Sequence, residues 1–275
     1  QKYTFSQDKS PLKGKKILVF SKTAGYRHKS IEPGIIFFKN LGNAEGFAVD
    51  TTENAIKFTD QNLKQYKVVV FMCTTGDILN DAQQIAFERY IQAGGGFLGV
   101  HAAADTEYDW PWYGRLVGGY FNGHPGKNVS NIQKGMMYTL DKNHPSTDFL
   151  PDNFEKTDEF YSFKNFSPAV KTLIRVDEKS YQEGTMGDFH PMAWYQEYDG
   201  GRSFYSNFGH TDETFTSEPL MMKHFAGGLN WAAAGPEIDY SKIVSAPEEN
   251  RFTKIILDEK LDEPTEMAVM NDGKV

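Results

Sequence analysis

The chain has 275 residues, a formal net charge of −8 and one cysteine, Cys73. Its acids and bases are interspersed, which argues against a basic nucleic-acid surface, and no apolar run approaches the roughly 18 residues of a membrane helix. A lone cysteine excludes an internal disulfide and a cysteine-rich metal site, and the length suits one large domain or one domain plus a fragment.

Residues 1–13 are polar and lack periodicity, so they form a lead-in arm. Lys16 to Phe20 (KILVF) is a first strand, followed by a long loop carrying Tyr26, Arg27 and His28. A helix starts near Ile31, with Ser30 as its cap and Pro33 in its first turn, and fails near Gly42. Phe47 to Thr51 is a second strand. Thr59 caps a short helix over Asp60 to Tyr66, and Lys67 to Met72 (KVVVFM) is apolar enough for a central strand. Asn80 caps a helix from Asp81 to Ala93, and Gly96 to Val100 is a buried strand. This alternation predicts a doubly wound α/β sheet with its strand ends on one edge.

The pattern changes after Gly118. Short β runs are expected at Met136 to Leu140, Phe160 to Phe163, Val170 to Val176 and Met192 to Tyr198. Asp199-Gly200-Gly201 is a hairpin signal leading into a strand from Arg202 to Asn207. A last helix covers about Glu218 to Ala233, and Gly235-Pro236 ends it. The expected organisation is an α/β domain over 1–235, a linker over 236–250 and a β tail over 251–275, where Asn271-Asp272-Gly273 is a second hairpin signal.

Chemistry concentrates at the strand ends. His101 follows the Gly96 to Val100 strand, and Asp105, Glu107, Asp109 and Trp110 come after it, where α/β sheets form their ligand crevice. His101 reads as a ligand or general base, or else as a histidine bonded within a tight turn. His210 ends a later strand and is either catalytic or paired with Asp212. His28, with Tyr26, sits where loops contact ligands, or is a solvated loop histidine. His124 closes the GGYFNGHP loop, whereas His144 and His190 precede prolines and read as turn residues. Asp158, Glu159 and Tyr161 make an acidic-aromatic cluster, in which Glu159 is a candidate acid or base for a sugar hydroxyl, or equally a rim carboxylate. Aromatic residues make up 14% of the chain. Trp110, Trp112 and Tyr113 offer a sugar platform or pack in the core. If a helix begins directly at His101, Asp105 shares its face, and the pair would chelate a divalent metal such as zinc. Cys73 reads as a small buried hydrophobe.

Four stretches carry a resemblance: GGGFLGVHAAADTEYDWPWYGRLVGGYFNGHP, CTTGDILNDAQQ, KTDEFYSF and HPMAWYQEYDGGRSFYSNFGHTDETF. Together they resemble the trehalose-utilisation (ThuA-like) family over about Lys15 to Gly235. The resemblance implies a flavodoxin-like, class I glutamine amidotransferase-like α/β sandwich. It also implies carbohydrate chemistry, directed at a disaccharide or an oxidised (keto) sugar. Amidotransferases place a nucleophilic cysteine after the strand that here precedes His101, so glutaminase activity is not expected. The expected catalytic set is His101, His210, Glu159 and Asp105. His28, Tyr26, Glu107, Asp109, Trp110, His124, Tyr161 and Asp212 are expected to bind substrate. The tail resembles the opening of a quinoprotein glucose/sorbosone dehydrogenase, so the alternative is a sugar-binding or accessory domain attached to such an enzyme. A following dehydrogenase domain or a homo-oligomer is the expected protein partner. The start at Gln1 suggests a removed signal peptide, hence an exported protein.

Overall fold

Five strands form a parallel sheet: β1 (Lys16–Phe20), β2 (Ala48–Thr52), β3 (Val68–Met72), β4 (Gly96–Val100) and, late in the chain, β11 (Gly201–Ser206). In this computed structural model, which describes residues 10–243, they lie in the order β2-β1-β3-β4-β11. Strands β3 and β4 are buried at every residue, which matches their apolar runs.

The connections place helices on both faces. Helix α1 (Ile31–Glu45) carries the chain from β1 outward to β2, whereas α3 (Asp81–Gln92), after the short α2 (Asp60–Leu63), carries it from β3 the other way to β4. Right-handed crossovers in opposite directions put their helices on opposite faces. Helix α4 (Pro111–Val117) packs on β11, as α3 does. The short α5 (Glu213–Thr216) and the long α6 (Pro219–Ala233) join α1.

Four antiparallel strands extend the sheet: β10 (His190–Tyr198), β9 (Lys171–Asp177), β6 (Ile132–Thr139) and β7 (Asn153–Glu159), in that order outward from β11. A separate pair joins β5 (Tyr120–Phe121) to β8 (Phe163–Lys164). The β10–β11 hairpin turns at Asp199 and Gly200, whose φ values of 48° and 92° suit the expected Asp-Gly turn. A register irregularity at Pro191 to Trp194 bends β10 against β9.

Three local expectations need correction. Helix α1 runs past Gly42 and stops at Gly46, whose φ of 81° forms a left-handed cap. Gly42 is a contact position: a Cβ there would sit 2.7 Å from the Phe47 carbonyl oxygen. Ser30 makes no side-chain cap bond. The strand expected at Phe160 to Phe163 is instead β7, which ends at Glu159, and the separate β8. The sequence of β7, NFEKTDE, is charged and mostly exposed at its start, so it lacks an apolar strand signal.

The first half of the expected linker lies on the domain. The Lys67 ammonium donates to the carbonyls of Gly235 and Pro236, Lys15 pairs with Glu237, and Asp239 N–H donates to Ala93. The β tail at 251–275 lies outside the described residues.

Candidate functional site

Local backbone strain marks the floor of the site. His101 follows β4 directly, with φ at 46°, the left-handed region that a side chain rarely adopts. A short 3-10 helix, His101–Ala104, starts there rather than an α-helix. Tyr205, on β11, donates its hydroxyl to the His101 carbonyl at 2.7 Å and pins the turn. The His101 Nδ1 lies 2.6 Å from the Asn207 carbonyl oxygen just past β11. A carbonyl only accepts, so Nδ1 carries the proton of the neutral ring and Nε2 turns a lone pair toward the site.

Glu159 ends β7 and places Oε2 3.2 Å from His101 Nε2 and 2.9 Å from His210 Nδ1. Its other oxygen accepts from Asn131 Nδ2 at 2.6 Å, with His124 Nε2 at 3.5 Å. His210 follows β11 by four residues and is held through its backbone. Asp158 accepts from the N–H groups of Gly209 and His210 at 3.0 and 3.1 Å. Asp158 is itself paired with the buried Lys156 at 3.1 Å. Adjacent carboxylates on β7 thus divide two tasks: Asp158 sets the loop and Glu159 enters the site. Asn207 ties the end of β7 to the residues past β11, donating from Nδ2 to the Glu159 carbonyl at 2.8 Å.

His28 reaches the same point from the loop after β1. Its ring meets those of His101 and His210 edge-on, with centroids 4.8 and 5.1 Å away. Donor atoms from His28, His101, Glu159 and His210 all lie within 4.8 Å of one another. The crevice lined by His28, Glu159 and His210 has a volume of about 370 Å³ and is also lined by Tyr26, Asp105, Phe121, His124, Asn131 and Tyr161, with His101 buried directly behind Glu159 and His210. Tyr161 stacks obliquely on His101 at 4.2 Å, and Tyr26 stands exposed at the rim.

Charge within the crevice is sorted by its surroundings. Burial works against the ionised Glu159, but its close contacts with His101 and His210 and the hydrogen bond from Asn131 more than offset it and hold the carboxyl far below the usual range. Burial likewise opposes a charged His210, yet Glu159, Asp158 and Asp212 raise its pKa above the ordinary histidine value. Burial, with His101 and His210 nearby, drives His28 down to about 2, so it stays neutral. Burial also raises the Asp105 carboxyl, against the hydrogen bond from Tyr108.

Several candidates fall elsewhere. Asp105 lines the crevice but is outside the donor group around His101; it bonds the Tyr108 hydroxyl at 2.5 Å. The tight 3-10 turn removes the i,i+4 face that would have paired it with His101. Glu107 is buried and accepts from the N–H groups of Ile78 and Leu79, both at 2.8 Å, so it braces a loop. Asp109 borders a different hollow, with Asp77 and Asn80. Trp110 stacks on Trp112, and both rings turn back onto Phe87 of α3, away from the crevice. Asp212 precedes α5 and acts on His210 through charge alone. His144 and His190 are buried, and His190 starts β10 bonded to Glu178 and Tyr181. Burial pushes the Cys73 thiol up to about 12. Asn131, Phe121, Asn207 and Lys156 were not singled out from the sequence, and Asp158 was read only as a member of the acidic-aromatic cluster. Only the run SNFGHTD, which sets Asn207 three residues before His210, gave a readable signal.

This arrangement stands in a known family frame. The model of the family described as trehalose utilisation (ThuA) matches residues 16–232. The chain belongs to the ThuA family. A ThuA-like protein of Bacteroides uniformis has a solved structure that is 27% identical, with a TM-score of 0.68, covering 80% of this chain and 91% of that one. A second, from Parabacteroides merdae, is 20% identical with a TM-score of 0.63, covering 80% and 90%. A cytoplasmic protein of Salmonella typhimurium LT2 shares the fold at 14% identity and a TM-score of 0.51, covering 79% and 99%. No curated protein matches the chain. The ThuA family's description supports a carbohydrate-related role. No helix among the described residues is long and apolar enough to cross a membrane.

Proposed function

We propose that this ThuA-family chain is a carbohydrate-processing enzyme acting on a disaccharide or an oxidised (keto) sugar in the crevice between His101, Glu159 and His210. The observation that carries this reading is the meeting of Glu159 Oε2 with His101 Nε2 and His210 Nδ1 on the floor of an aromatic-walled cavity. A sugar needs flat apolar faces beside a few fixed polar groups. Tyr161, Phe121 and Tyr26 supply the faces.

The chemistry follows from the charges. Glu159 remains ionised and accepts hydrogen bonds from sugar hydroxyls, while the Nε2 lone pair of His101 is placed to take a proton. His210, with its raised pKa, is suited to give a proton to a leaving oxygen or a carbonyl. Asp105, with its carboxyl raised by burial, is a second donor on the wall. Cleavage, elimination and isomerisation of a keto sugar all begin with such proton movements. The test is product analysis by NMR, with trehalose, other disaccharides and their keto forms offered to wild type and to Glu159→Gln. Turnover lost at least about 100-fold in the variant supports the reading. Retention of sugar without turnover would favour a non-catalytic binding domain.

A further inference from the structure

We infer that His28, His101, His210 and Glu159 form a mononuclear site for a divalent transition-metal ion of the zinc type. The inference rests on reading this crevice as the working site, but it can be tested without any sugar.

Proton accounting is the first argument. His101 Nδ1 gives its hydrogen to the Asn207 carbonyl at 2.6 Å, so in the neutral ring Nε2 holds only a lone pair. That lone pair faces Glu159 Oε2, another acceptor, at 3.2 Å. His210 Nδ1 stands 3.3 Å from His101 Nε2 and 2.9 Å from Glu159 Oε2 and can bring one hydrogen to the triangle. Three inward-facing electron pairs with one proton among them repel, and a cation at their centre removes the conflict. Donors around one zinc at about 2.0–2.2 Å stand roughly 3–3.5 Å apart, which is the size of this triangle.

The surroundings are the second argument. Metal-bound histidines donate their other N–H to a carbonyl or carboxylate, and ligating carboxylates are hydrogen-bonded in turn. Here Asn207 holds His101 from behind, and Asn131 holds the outer oxygen of Glu159 at 2.6 Å. His28 is the third argument. It is 3% exposed, adds a nitrogen to the group, and its Nδ1 has no hydrogen-bond partner. A network that only shared protons would have no use for it.

Three imidazoles and one carboxylate suit zinc and its first-row neighbours rather than magnesium or calcium, which favour oxygen donors. The group opens on the crevice through the half-buried His210, so a sugar oxygen or water can reach it. An ion there would act as a Lewis acid toward that oxygen, in place of a proton from His210, and would leave Asp105 as the proton donor on the wall.

The test is calorimetric titration of chelator-treated full-length protein with Zn²⁺, and with Co²⁺ followed by visible absorption. The expected result is one ion per chain and a raised melting temperature. His101→Ala and Glu159→Gln should weaken binding by at least about 100-fold, and Asn131→Ala by about 10–100-fold. His210→Asn, at the least buried ligand, serves as the variant that keeps its fold, checked by circular dichroism; it too should bind poorly. His144→Gln, remote from the crevice, should bind as wild type does. Absence of saturable binding, or unchanged binding in the folded His210→Asn and Glu159→Gln proteins, would overturn the inference. Sugar turned over by wild-type protein that shows no saturable metal binding would overturn the inference while leaving the proposed function intact. A metal bound as expected with no sugar turned over would support the site and count against that function.

Discussion

Glu159 Oε2 lies 3.2 Å from His101 Nε2, although their strands, β7 and β4, stand five places apart in the sheet. In a flat sheet five steps would separate them by about 24 Å, at the usual spacing of about 4.8 Å. The antiparallel extension therefore curls back over the carboxyl edge of the parallel strands, helped by sheet twist and the irregularity in β10. The parallel half supplies His28, His101 and His210, and the extension supplies Glu159 and Asn131. The site exists because the two halves close on each other.

Asp158 should matter as much for stability as for activity. It is a buried charge paired with Lys156 and bonded to the backbone of Gly209 and His210. Its loss leaves Lys156 with Glu218 at 2.8 Å but strips the Gly209 and His210 N–H groups of their acceptor, so Asp158→Ala is expected to cost about 1–3 kcal/mol in urea unfolding. A change below about 1 kcal/mol would show that the pair does not anchor the His210 loop.

Stability should fall on mild acidification. Burial lowers the pKa of His224 to about 4 and that of His144 to about 3. Both bind fewer protons folded than unfolded, so stability is full above about pH 6.5, the unfolded value, and declines as pH falls toward those folded values. The slope should approach about 1.4 kcal/mol per pH unit for each histidine. Urea midpoints between pH 6.5 and 5 measure it, and His224→Asn should flatten the slope. A flat wild-type profile would contradict burial of neutral rings.

Cys73 is expected to be chemically silent. It is fully buried, and burial pushes its thiol up to about 12. Native protein should resist thiol reagents and release no ammonia from glutamine, and Cys73→Ala should keep any sugar activity. Ammonia release abolished by Cys73→Ser would revive an amidotransferase reading.

Tyr26 separates binding from folding. It is 62% exposed at the rim and meets His28 edge-on. Tyr26→Ala should raise KM for the sugar by about 10-fold, an effect of about 1.4 kcal/mol, without shifting the melting temperature. An unchanged KM would place the sugar away from this wall.

The parallel half of the fold was legible because its strands are short apolar runs with helices between them. KVVVFM and GFLGV can only be buried, and Asn80 caps α3 with a reciprocal bond to Gln83. The extension was harder to read. Strand β7 carries four charges in seven residues and shows its apolar pattern only through its neighbours. The three histidines could be placed at one edge by topology alone, since parallel strands share a carboxyl end. Trp110 misled because nearness in sequence to His101 is not nearness in space: the fold of α4 onto α3 turns it away. Asp105 reaches the crevice wall, but the 3-10 turn keeps it out of the donor group around His101. Asn131 carries no motif, and its role, like that of Asn207 in the run SNFGHTD, arises only when strands distant in sequence meet.

The most direct test of the account is the position of a bound sugar. Crystals soaked with a disaccharide or its keto form, using Glu159→Gln to halt turnover, should show a sugar oxygen within hydrogen-bond reach of residue 159 and His210. The ring should lie against Tyr161. Sugar seated instead in the hollow beside Asp109 and Asn80, with the histidine crevice holding only water, would contradict it.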